Sequence, residues 1–284
     1  MMRKVLGSLA TIVLASALTM TPALAGSSSG GATKAAQTAA TASCHAIRFE
    51  TGKQLAGPVA LPTEACPGVR PGAVLRIPSQ HAQCTFNAMF LGSDGARYMT
   101  TAGHCVLEGT NIKEKAWPVG KGPVAADADG KRVGEFAYAI LSDPKDIALI
   151  RLDKAVAASP QLCHFGGPTH MADNSAGPAV LDHFGQGVAI SGLLPGRTQL
   201  ALSLADPDRL DVIGLATPGD SGSLVQTANG GAVGVLVTTG FGFGFTGAGT
   251  PDLGNVGITR FVPQLAHATE VTGVKYTLQT APLL

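Results

Sequence analysis

Apolar side chains come along this chain in short runs, and the spacing inside each run predicts its element. "RYMTTAG" (97–103), "DIALIRL" (146–152), "LALSLA" (200–205) and "GAVGVLVTT" (231–239) are separated by Gly, Pro, Asp and Asn. That punctuation predicts antiparallel strands joined by turns, in a sandwich or barrel. Asp146 stands at the head of a run that reads as an alternating strand. "VPQLAHATEV", Val262 to Val271, is the one good helix candidate, since Leu265, Ala266 and Ala268 can share a face. There is no fixed-period repeat.

One apolar run is of another kind. Val5 to about Leu18 is a longer apolar run that follows Arg3 and Lys4 and is followed by Ala23-Leu24-Ala25. This predicts a secretory signal peptide over 1–25 and a secreted, extracellular protein. The run is too short for a comfortable membrane span, and no later stretch reaches about 18 uninterrupted apolar residues. Residues 26–43 are poor in bulky apolar side chains, so 26–66 reads as a flexible leader or propeptide with the N-terminal segment. About 240 residues remain, enough for one large domain or two small ones.

Composition narrows the classes. With 37 Gly, 18 Pro and 14% charged residues, long charged helices are not expected. Arg3 and Lys4 leave with the signal peptide, which takes the formal charge from +1 to −1. Neither nucleic acid nor an anionic membrane surface is indicated as a partner.

The candidate chemistry lies in three stretches. "LATPGDSGSLV" (215–225) sets Asp220 and Ser221 between Gly219 and Gly222; "TTAGHCV" carries His104; "PKDIALIRL" carries Asp146. Singly, each is an ordinary turn or surface feature. Together, in the order His, Asp, Ser and spaced by 42 and 75 residues, they are far more specific, and they are the residue types that nucleophilic acyl transfer would use. A serine hydroxyl is a poor nucleophile, so His104 takes its proton. Asp146 would set the imidazole tautomer and stabilise the imidazolium. The backbone N–H groups of Gly219 and Ser221 are the candidate oxyanion donors, with glycine at 219 letting the chain bend toward one point.

On "TAGHC", "DIALIRL" and "GDSGS" as they stand, the chain resembles the trypsin/chymotrypsin family of serine proteases, bacterial secreted type, loosely from Cys84 to Val271. The resemblance implies an all-β fold of two six-stranded antiparallel barrels with a short C-terminal helix and the site between them. His104 and Asp146 fall in a first barrel (67–155), followed by a connector (156–175). Ser221 falls in a second barrel with the helix and tail (176–284). It further implies a Cys84–Cys105 disulfide. Cys163 would tie back the N-terminal segment, with Cys66 favoured over Cys44 as its partner. Leu215 would form the base of the specificity pocket, with Ala216, Thr217 and Pro218 on one wall and Thr238, Thr239 and Gly240 on the other, so that cleavage follows apolar residues. The implied protein is an endopeptidase acting on polypeptides, monomeric and without cofactor or metal.

Departures from the family pattern are visible. No Ile-Val-Gly-Gly-like activation sequence exists to pair with Asp220. Thr238 and Thr239 replace Ser and Trp, and Ser223 and Leu224 replace Gly and Pro. An α/β-hydrolase elbow fails because position 223 is Ser and only Asp252 and His267 meet the chain order. The glycines of 238–249 read as a loop, since no helix pattern or acidic residue follows as a dinucleotide site requires. Adjacent Cys-His pairs such as His104-Cys105 point to opposite faces of a strand and make no zinc motif. A silent protein-binding homologue and a serine esterase are the other readings of the same scaffold.

Overall fold

The computed structural model describes residues 68–186, 196–214, 216, 218–239, 244–245, 251–252 and 255–284. The expected signal peptide and leader, with Cys44 and Cys66, lie outside the described residues, as do Leu215, Thr217 and Gly240. Of Thr238 and Thr239 only the backbone is described.

Eight strands build the first half: β1 (Val74–Ile77), β2 (Ala82–Thr85), β3 (Met89–Gly92), β4 (Arg97–Thr101), β5 (Glu114–Ala116), β6 (Val124–Ala126), β7 (Arg132–Ser142) and β8 (Lys145–Leu152). β2 and β3 are the halves of one bent strand. The first pairs with β1 and the second with β4, and the bonds Phe86 N–H to Ala73 O (2.9 Å) and Asn87 N–H to Thr100 O (2.8 Å) carry the pairing across the bend. The order β3-β4-β8-β7-β6-β1-β2 therefore closes an antiparallel barrel of six strands, with β5 added along β7. Leu75, Ile77, Phe86, Phe136 and Ile150 are fully enclosed in its core. β8 departs from the expected alternation: Ile147 to Ile150 are all buried. One of its faces lines the barrel and the other is covered by the second half of the molecule, as strands packed on both faces read apolar throughout.

The second half holds β9 (His170–Met171), β10 (Ala179–Phe184), β11 (Gly196–Ala201), β12 (Arg209–Ile213), β13 (Leu224–Thr227), β14 (Gly231–Thr239), the short pair β15 (Gly244–Phe245) and β16 (Pro251–Asp252), and β17 (Asn255–Arg260). Pairing runs around a ring of six, β10-β11-β12-β17-β14-β13 and back to β10, making a strongly curled sheet. β11 and β12 meet at a single pair, Leu200 with Ile213. The 238–249 stretch is not wholly loop: β14 runs to Thr239, and β15 pairs with β16. "LALSLA" is strand only to Ala201. Beyond it Ser203 Oγ accepts Ala205 N–H and Asp206 Oδ1 accepts the N–H groups of Asp208 and Arg209, so side chains satisfy the backbone in turns rather than in a ladder.

Helix α1 (His104–Leu107) follows β4; helix α2 (Phe261–Thr272) follows β17 and ends at Gly273, which takes the left-handed conformation at φ 72°. After α2 the chain returns to the first barrel, where β18 (Tyr276–Leu278) pairs with β3. Phe261 meets Phe90 edge to face at 5.6 Å, and Tyr276 meets Tyr98 at 5.2 Å. Buried polar contacts weld the halves: Asn87 Nδ2 donates to Ser223 O (3.0 Å) and Gln186 Nε2 to Gly72 O (2.7 Å). Each is worth about 1 kcal/mol net, and more is lost if one partner is left buried alone.

Candidate active site

His104 opens α1 immediately after β4, and the sequence around it explains the placement. A Cβ on Gly103 would collide with the Ile140 carbonyl oxygen, so only glycine lets the turn press against β7 and β8 there. Cys105 is bonded to Cys84, with Cα atoms 6.4 Å apart, which ties α1 to β2. This is the bridge expected. Cys163 is also disulfide-bonded; its partner lies outside the described residues.

Asp146, near the start of β8, addresses His104 with both carboxylate oxygens. Oδ2 lies 2.8 Å from the imidazole Nδ1, and Oδ1 accepts the His104 backbone N–H at 2.8 Å. The side chains are 17% and 13% exposed, dry enough for the pairing to count. Burial by itself would lower the imidazole pKa. The hydrogen bond and charge of Asp146, helped by the charge of Glu108, outweigh it, and His104 holds its proton above the ordinary histidine value. With Nδ1 committed to the carboxylate, Nε2 is the nitrogen left for a substrate-side proton.

Ser221 lies on a turn that runs from Asp220 to Ser223. Ser223 N–H and Oγ both donate to Asp220 O, at 2.9 and 2.7 Å. The serine that departs from the family pattern at 223 thus closes the turn. Gly219 and Gly222 have φ of 99° and 91°, where side chains are strained. A Cβ on Gly222 would also strike Thr101 Oγ1 and the Thr85 carbonyl. Thr85 holds the turn from the first barrel: its N–H donates to Ser221 O (2.9 Å) and its Oγ1 to Gly219 O (2.9 Å). Thr101, three residues before His104, donates from Oγ1 to Thr85 O at 3.0 Å. Two threonines therefore connect the serine turn to the histidine strand.

The result is a cleft of about 370 Å³ with His104, Ser221, Gly219 and Pro218 on its walls, joined by Gln80, Gln83 and Glu108. Among the described residues neither the Gly219 nor the Ser221 N–H donates to a protein acceptor. Asp220 is fully buried, its carboxylate packed where a side chain on Gly185 would otherwise be. Ala216 is buried and Pro218 exposed. Among the described residues, β13 and the turn before it reach β14 only as far as Leu236, and the backbone at Thr238 and Thr239 pairs with β17 alone. Cys84, His104 and Cys105 cluster as metal ligands might, but both sulfurs are spent in the disulfide. Thr85, Thr259 and Gln264, which touch Ser221 or Asp146, carry no sequence signal; they lie in ordinary strand and helix patterns far from the motifs.

No family model matches the chain, and no curated protein matches it. Solved structures of similar shape include Thermobifida fusca protease A (15% identity, TM-score 0.49, 75% of this chain and all of that one). Others are a glutamic acid specific serine protease that uses a histidine triad in substrate binding (15%, 0.49, 75% and 100%) and Cellulomonas bogoriensis chymotrypsin (17%, 0.48, 74% and 99%). At these identities and scores the likenesses carry nothing about chemistry, which rests on the residues above.

Proposed function

We propose that the chain is a secreted serine endopeptidase in which Ser221 is the nucleophile, His104 the general base and acid, and Asp146 the group that orients the imidazole. The observation that carries this reading is the two-point grip of Asp146 on His104, in a cleft whose opposite wall presents Ser221. A structural histidine needs no carboxylate on both its ring and its backbone. Attack by Ser221 Oγ on a peptide carbonyl, with transfer of its proton to His104 Nε2, gives a tetrahedral oxyanion. The N–H groups of Gly219 and Ser221 are the donors available to it. Collapse expels the amine with the proton from His104, and water repeats the sequence on the acyl-enzyme. An extended substrate adds along the edge of β14 away from β17, at Thr238 and Thr239, using backbone groups alone.

For the residue before the scissile bond the reading is apolar. Leu215 and Ala216 offer no charge at the expected pocket base, and an unpaired ammonium or guanidinium buried there is strongly unfavourable. The acidic residues that could line the pocket instead are Asp211 and Asp252; against the first stands its side chain, 63% exposed between the buried Leu210 and Val212.

A fluorophosphonate is expected to label Ser221, and His104→Ala is expected to abolish both labelling and cleavage of an unstructured protein. Label on another serine overturns the nucleophile. Ester cleavage without peptide cleavage makes the protein an esterase, and neither makes it a binding module. Peptides varied only before the scissile bond should be cut fastest after aliphatic or aromatic residues; fastest cleavage after Lys or Arg removes the pocket assignment.

A further inference from the structure

Helix α2 carries a buried polar side chain for which the triad chemistry has no direct use. Gln264 is 1% exposed, beside Phe261, Leu265 and Ala268, which bury the same face. Its amide is bonded at both ends: Oε1 accepts the Asp146 N–H at 2.7 Å, and Nε2 donates to Arg260 O at 2.9 Å. An apolar residue of the same size would fill the space without burying an amide. What glutamine adds is an acceptor aimed at Asp146.

Asp146 needs one because it stands beyond the β4–β8 ladder, whose pairing ends at Thr101 with Ala148. On its other edge it is opposite Leu141 in a pair that exchanges no bonds, the Leu141 N–H going to Lys113 O at 2.8 Å on the far side of β7. The Asp146 carbonyl accepts from Thr259 Oγ1 at 3.3 Å. Both backbone polar groups of Asp146 are thus held by the last strand and helix of the second half of the molecule, over sequence separations of 118 and 113 residues. The side chain has two oxygens to aim, one at the His104 backbone and one at its ring, and a tilt of the Asp146 peptide would misplace both.

We propose that Gln264 is a positioning residue for the His104–Asp146 pair: by fixing the Asp146 peptide it aims the carboxylate, so that the C-terminal helix completes the proton-handling half of the site. The inference rests on the reading of His104 as general base. Its consequence extends to the imidazole, whose hold on its proton comes chiefly from Asp146. The other charged groups facing the pair, among the described residues, are Glu108 beside His104 and Asp143, Lys145 and Arg209 around a small hollow next to Asp146 and Thr259.

The test compares Gln264→Met, which keeps volume and removes the acceptor, with Gln264→Glu, which restores an oxygen for the Asp146 N–H. Gln264→Met should lower kcat about tenfold to a hundredfold with KM within about twofold, as small misplacements of catalytic groups do. The acid limb of the rate profile should move toward lower pH, and Gln264→Glu should recover most of the loss. Wild-type kcat and pH profile in folded Gln264→Met overturn the proposal, as does a loss carried by KM or a Glu variant as impaired as Met. If Gln264→Met does not fold, the Glu variant decides alone: kcat within about threefold of wild type supports positioning, and a tenfold loss refutes it. An NMR titration of the His104 ring separates this inference from the protease reading. It needs no turnover, and an unchanged imidazole titration in Gln264→Met sinks the positioning role even if the wild type cuts no peptide.

Discussion

The two halves of the cleft are held in place by different means. On the His104–Asp146 side, side chains do the positioning: one carboxylate grips histidine twice, and a glutamine and a threonine grip the aspartate. On the Ser221 side the backbone does it, through a turn whose shape needs two glycines at positive φ and whose carbonyls are tied down by Thr85. On the proposed mechanism, the proton-handling half should therefore respond to removal of side-chain atoms, while the nucleophile half should respond to addition of them. Ser221 is the exception, because in the proposed reaction its Oγ is the attacking atom. Ser221→Ala should lower kcat by about 10⁶-fold, the scale seen when the nucleophile of such a unit is removed. Residual cleavage within a hundredfold of wild type would show that the cleft works without this serine.

Asp146→Asn tests the side-chain half. The amide keeps the volume, but its NH₂ cannot accept the Nδ1 proton, so the imidazole adopts the wrong tautomer and turnover should fall by about 10⁴. A loss under tenfold would leave Asp146 a turn residue. The pH dependence carries the same information. The proposed general base must be neutral, and the His104 pKa is raised, so the acid limb should lie above the ordinary value of about 6.5. The folded protein holds this proton more tightly than the unfolded chain. The pair's contribution to stability is therefore complete below about 6.5 and fades as pH rises through the folded value, the same window in which activity appears. A limb below 6.5 contradicts the paired geometry.

Gly222→Ala tests the backbone half. The new methyl meets Thr101 Oγ1 and the Thr85 carbonyl at a φ of 91°, so strain and overpacking should together cost about 2–4 kcal/mol in a urea melt. Ser223→Ala removes only a hydroxyl bonded to Asp220 O and should cost about 1 kcal/mol. A Gly222→Ala protein as stable as Ser223→Ala would mean that the turn relaxes and that its shape is not what places Ser221.

The same contrast explains what could be read from sequence. Local motifs were legible: "TAGHC" needs its glycine against Ile140, and "GDSGS" needs glycine before and after the Asp-Ser pair, so each short string carries its own physical reason. "GAVGVLVTT" forms β14 from its first residue to its last, and the helix expected at Val262–Val271 runs from Phe261 to Thr272. Contacts between distant segments were not legible. Gln264 sits in "VPQLAHATEV", where a polar residue reads as the wet face of a helix, and only the fold turns it toward Asp146. The run after Asp146 looked half-buried because its outer cover, the second half of the molecule, leaves no mark within the run. "LALSLA" looked continuous, yet Leu202 is 68% exposed and Leu204 buried, because Ser203 and Asp206 bond their own backbone.

The smallest expected effect separates the two acidic neighbours of His104. Asp146 acts through direct bonds in a half-buried setting. Glu108, at the C-cap of α1, sends its N–H to the His104 carbonyl at 2.9 Å but keeps its side chain exposed. Its charge raises the imidazole pKa through space only. Glu108→Gln preserves size and removes that charge, so the acid limb should move slightly toward lower pH while maximal turnover stays unchanged. Exposed charges are screened over about 8–10 Å at moderate ionic strength, so the displacement should shrink as salt is added. The Asp146 contribution, made by a hydrogen bond, should persist in the same salt series. A Glu108→Gln limb that moves upward, or whose displacement ignores salt, would mean that Glu108 touches the imidazole by some route other than its field and that the two carboxylates are not distinguished by burial.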